Sequence, residues 1–201
     1  MSAPIPRDLP LIRARDLEQP RDTSASGIAL KGRLAHFRGI GTTTLASILV
    51  SRMHADQLPV AWISATTDTV YPPDLADNGV DLDSLMFVME RDSHRAARAA
   101  EHLLRSSSFS LLILDLEEGA DIPDALQGRL LRLARKTDAA VVFLTHAESS
   151  LRGSMISLRG DVARVPLIGG GYRLRIHITR DKHGGPGVRS GEVCYAPPGM
   201  H

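Results

Sequence analysis

The chain has 201 residues, 43% hydrophobic and 23% charged, with a formal net charge of +1, about one to one and a half typical domains of ordinary globular composition. No stretch approaches the roughly 18 uninterrupted apolar residues of a membrane span, and residues 1–20 mix Arg13, Arg15, Asp16 and Glu18 with short apolar runs, unlike a signal peptide. A single cysteine, Cys194, rules out an intramolecular disulfide and a cysteine metal cluster, so a reducing cytoplasm is the expected location.

The small net charge hides a polarity. From Asp56 to Asp92 eight acidic residues face one basic residue, and from Arg152 to Arg189 eight basic residues face two acidic ones. Such a distribution suits an oriented partner, or nucleic acid on the basic side.

Residues 1–26 hold Pro4, Pro6, Pro10 and Pro20 and end in Thr-Ser-Ala-Ser, which reads as an arm or linker before a core spanning 27–201. A short strand is expected over 33–38. Leu45, Ile48, Leu49 and Met53 recur at helical spacing over 42–57. Strands follow at 59–65 and 84–89. A helix over 93–107 carries Ala96, Ala99, Ala100, Leu103 and Leu104 on one face, with Arg98 and Glu101 outside that stripe.

The apolar run 110–115 ends in Asp115, the pattern of a central parallel strand. Asp121 is expected to cap a helix that runs to Thr137 and is buried through Leu126, Leu130, Leu133 and Ala134, before another strand at 139–145. After Arg159 the rhythm changes to β-like segments at 162–168, 172–179 and 192–196, joined by glycine-rich turns. The expected fold is α/β, a mostly parallel sheet with helices on both faces and a C-terminal antiparallel meander.

Ligands of such sheets sit at the carboxyl ends of the strands. There the first strand leads into Arg38-Gly39-Ile40-Gly41-Thr42-Thr43-Thr44. A phosphate loop needs four residues between its glycines, then a lysine for the β/γ oxygens and a hydroxyl for magnesium. Here one residue separates Gly39 from Gly41, Thr42 stands in the lysine position, and Thr43 retains a hydroxyl.

The wider pattern resembles the RecA recombinases from about Gly27 to Tyr195. The likeness runs through 32–37, 60–65, 71–85, the Walker B strand Leu111–Asp115, and the stretch 172–182. Length and the single core are most similar to the ImuA group, RecA-like accessory proteins of DNA-damage-induced mutagenesis (the SOS response). The resemblance implies that Asp115 is the Walker B acid and that Thr66 replaces the catalytic glutamate. It also implies that Thr145-His146 replaces the γ-phosphate sensor pair, and that the loops after Asp115 and His146 are shortened forms of DNA-contacting loops. Threonine is no general base at neutral pH. The expectation is therefore a degenerate ATPase core, not an enzyme and without cofactor, with Gly39, Gly41, Thr42, Thr43, Thr66, Asp115 and His146 marking its vestigial nucleotide site.

Arg180 and Lys182 match the basic pair that reaches a neighbouring subunit's nucleotide in RecA filaments. With Arg173 and Arg175 they are the expected contacts to partners or phosphate. The resemblance implies translesion-synthesis partners: an ImuB-like Y-family polymerase subunit, an error-prone replicative-type polymerase, and RecA itself, with DNA bound weakly or indirectly. Two other readings stay open, a divergent ATP-binding ATPase and a DNA-binding module using the basic C-terminal half. The eight histidines show no paired metal-ligand spacing, and an aromatic content of 4% argues against a stacking platform for single strands.

Overall fold

In a computed structural model, residues 28–66, 70–146, 151–167, 171–184 and 187–194 are described, the last stretch by its backbone path alone. The elements in chain order are β1 (Leu34–Arg38), α1 (Thr42–Ala55), β2 (Val60–Ser64), α2 (Pro72–Asp77), β3 (Leu85–Met89), α3 (Ser93–Ser106), β4 (Leu111–Leu116), α4 (Asp124–Thr137), β5 (Ala140–Thr145), β6 (Leu158–Pro166), β7 (Tyr172–Asp181) and β8 (Gly187–Cys194). They build one eight-stranded sheet of order β3-β2-β4-β5-β1-β6-β7-β8. Strands β1 to β6 run parallel, whereas β6–β7 and β7–β8 are antiparallel pairs.

The central strands are apolar on both faces because helices cover both. On one face α1 and Leu75 of α2 pack against Phe37, Trp62, Ile113 and Val142. On the other, α3 and α4 pack against Leu34, Ile63, Leu112, Leu114 and Phe143. Trp62 is fully buried and stacks on Phe87 of the edge strand with ring centroids 6.4 Å apart. Helix α3 is capped by the Asp92 carboxylate, which accepts a hydrogen bond from the Arg95 amide at 2.8 Å. No helix among the described residues is long and apolar enough to cross a membrane.

Several local expectations change. Helix α4 starts at Asp124 after Pro123, and Asp121 contributes its carbonyl to the Ser93 hydroxyl instead of capping the helix. Glu101 is buried. It accepts from Arg105 one turn on and lies 3.5 Å from Arg129 of α4, so two guanidinium groups offset its desolvation. Strand β6 begins at Leu158, four residues before the expected start, because 158–161 pair with β1. Strand β8 covers 187–194 instead of 192–196. Helix α2 was not expected; Pro72 and Pro73 open it, where a missing amide costs nothing. The arm 1–26 and the Cys194 side chain lie outside the described residues.

Candidate functional site

The residues singled out after β1 form a closed turn. The Gly39 carbonyl accepts from both the Thr42 amide (3.3 Å) and the Thr42 hydroxyl (2.9 Å), and the Gly39 amide donates to Thr145 of β5 at 3.1 Å. Gly39 sits at φ +115°, and a Cβ there would lie 2.3 Å from the Val162 carbonyl oxygen of β6. At Gly41 a Cβ would meet Leu174 and Val162 side chains below 3 Å. Gly39 is thus demanded by close approach to the β6 backbone, and Gly41 by the packed side chains of Val162 and Leu174. Thr42 is wholly buried, and Thr44 accepts from Arg164, whose guanidinium also lies 4.9 Å above the Tyr172 ring. Thr43 is partly exposed, and Ile40 projects from the turn with 69% of its surface exposed.

A phosphate cradle is an open loop whose amides converge on an anion. This turn instead satisfies its own carbonyl, brings no lysine, and displays an isoleucine.

Two strands away, Asp115 lies near the end of β4, beside Ser64 of β2 in register. Its carboxylate is 1% exposed, and neither oxygen accepts a hydrogen bond among the described residues. His146, just past β5 and half-exposed, brings its Nε2 to 3.4 Å from Oδ1. Thr66 follows β2 and is partly exposed. The sheet therefore brings Asp115 and His146 together and ties Gly39 to Thr145, but among the described residues it gathers no ammonium group with them.

The basic residues go elsewhere. Lys182 donates to the Ser154 carbonyl, and Arg180 sits opposite Arg159, toward the amino ends of the parallel strands. Arg173 and Arg175 lie on the outward face of β7, whose inward face is Leu174, Ile176 and Ile178.

Between these regions lies a polar cluster that motif reasoning passed over. His36 of β1 is buried, with Nε2 2.9 Å from the Thr145 hydroxyl and Nδ1 3.1 Å from Arg159 Nη1. A guanidinium only donates, so Nδ1 accepts and the proton resides on Nε2. Burial first, then Arg159 and Arg38, lower the His36 pKa to about 3. Arg159 also donates to the carbonyls of Leu151 and Gly153, and burial with Arg180 and Arg38 nearby lowers its own pKa. Arg38 pairs with Asp161, and beside that pair opens a cleft of about 450 Å³ lined by Gly39, Ala163, Arg175 and His177. The available signal was the alternation Arg159-x-Asp161 next to a strand ending in Arg38. No family model matches the chain, and no curated protein matches it.

Proposed function

We propose that this chain is a non-catalytic RecA-like accessory protein of DNA-damage-induced mutagenesis, acting through protein partners. The observation that carries the reading is the turn at 39–42. It is closed by Thr42 onto the Gly39 carbonyl and pressed against Val162, where a nucleotide-binding core keeps an open loop and a lysine. The mostly parallel sheet with an antiparallel extension at its C-terminal end supports the same ancestry. Phosphoryl transfer depends almost wholly on positioning and charge stabilisation. Asp115 and His146 bring no ammonium group with them among the described residues, and Thr66 is no general base. The proposed partners are an ImuB-like Y-family subunit, an error-prone replicative-type polymerase, and RecA.

Calorimetric titration with millimolar ATP and magnesium tests the nucleotide half: no binding is expected, and micromolar affinity would overturn the reading. Titration of the purified ImuB-like subunit tests the other half. Saturable binding that survives Asp115→Asn is expected, and absence of binding removes the adaptor role.

A further inference from the structure

Helices α3 and α4 pack over β1, β2, β4 and β5, and the same face of β6 and β7 lies beyond them. Side chains two apart on a strand share a face, so the register sets those on this face in short rows. His36 stands next to Arg159, which faces Arg180. Arg38 stands next to Asp161, which faces His177. Ala163 faces Arg175 just past the end of β1. Four guanidinium groups thus surround one carboxylate.

Their charge is not neutralised within the described chain. Asp161 is already taken by Arg38. Arg159 is partly buried and spends its donors on neutral acceptors, His36 Nδ1 and the carbonyls of Leu151 and Gly153. Burial first, then the neighbouring Arg180 and Arg38, lower its pKa. Arg175 and Arg180 are exposed, and neither makes an ion pair or hydrogen bond among the described residues. Holding like charges together at a partly desolvated place costs free energy, and an anion from outside offsets that cost.

The shape of the face narrows the class of anion. Gly39 and Ala163 leave a gap between the longer side chains of Arg38 and Arg175, where the cleft of about 450 Å³ opens with His177 on its wall. Across the Arg38–Asp161 pair lies a smaller recess of about 210 Å³, reached by Arg159 and Thr179. A cleft of this volume suits a small molecule. No aromatic ring lines either hollow, so the bases of a nucleic-acid strand have nothing to stack on. A phosphoryl dianion offers two charges and several acceptor oxygens to guanidinium forks, whereas a carboxylate offers one charge to one fork. We propose that this cleft binds a small phosphorylated molecule, with its phosphoryl group over Ala163 between Arg38 and Arg175. The site belongs to a single copy of the chain, and it goes beyond the adaptor reading without depending on it.

Calorimetric titration of the full chain with inorganic phosphate and with glycerol 3-phosphate, at neutral pH and constant ionic strength, tests this. Saturable binding is expected for both, with a Kd below about 1 mM for the ester, and none for acetate. Arg175→Gln is expected to weaken binding about tenfold or more. Ala163→Leu fills the cleft from an exposed position without changing charge, and is expected to abolish binding at an unchanged melting temperature. Arg173→Gln, one row further along β7, is expected to leave the affinity as it is. A native chain that binds neither phosphate compound, or binding that Ala163→Leu leaves intact, overturns the proposal. So does a loss at Arg173→Gln as large as at Arg175→Gln, or tighter binding of a single-stranded oligonucleotide that survives Ala163→Leu, which would make the face a track for a polyanion.

Discussion

The turn after β1 and the outward face of β6–β7 share a border at Arg38 and Asp161, yet they are built on opposite terms. At the turn the polar groups of Gly39, Thr42 and Thr44 are satisfied internally: Gly39 by Thr42 and Thr145, Thr44 by Arg164. On the β7 face, Arg173 and Arg175 are held by nothing in the described chain. The first arrangement contributes rigidity and leaves little to offer a ligand. The second contributes little to the fold and leaves charge available for recognition. The lesson is that, in this molecule, the turn after β1 is closed by packing, while the exposed guanidinium groups lie out on β7.

The largest expected effect that would break this contrast is at Gly39. Gly39→Val puts a β-branched residue at φ +115° with its Cβ inside contact distance of Val162. Unfolding in denaturant is expected to show a loss of about 3 kcal/mol or more. A near-neutral result would mean that the turn is looser than its hydrogen bonds imply.

The second effect is acid sensitivity through His36. Its folded pKa, about 3, is below the ordinary 6.5, so the folded state prefers the neutral ring. The associated stability is complete above pH 6.5 and is lost as pH falls from 6.5 toward 3, by up to about 1.4 kcal/mol per pH unit. His36→Gln is expected to flatten that window in melts recorded from pH 7 to pH 4. An unchanged slope would assign the acid transition to carboxylates.

Asp115→Asn comes next. Among the described residues the carboxylate accepts no hydrogen bond that the substitution removes, and the change relieves buried charge. A stability change within about 1 kcal/mol is expected, with partner binding retained. Loss of binding by a well-folded variant would return function to the strand ends. The smallest effect sharpens the comparison from the other side. Arg175→Ala is expected to shift stability by no more than about 0.5 kcal/mol while weakening any low-salt association through β7 and lowering its salt sensitivity.

The strand and helix alternation was legible because buried strands such as 111–114 and 140–144 leave unbroken apolar runs. Three features were hidden for physical reasons. Glu101 looked solvated because its compensating cation, Arg129, comes from another helix. The start of β6 was masked by Arg159 and Gly160, which look like loop until the carbonyls of Leu151 and Gly153 take up the guanidinium. β8 contains Gly187 and Ser190, poor strand formers held there by pairing with β7. At the candidate site, sequence spacing exposed what the loop lacks. It did not reveal that Val162 lies against the glycines, because that contact joins residues far apart in the chain.

The closure of Gly39 and Gly41 on β6 also limits what a single substitution can do at this turn. Placing a lysine at position 42 would not by itself create a phosphate-binding loop, because Thr42 is wholly buried and its hydroxyl fastens the turn. Lengthening the loop between the glycines would require β6 to withdraw at Val162, and β7 to follow through Leu174, before any anion gained a seat. The turn is thus fastened to two strands at once, and opening it is a change to the whole border of the sheet rather than to one loop.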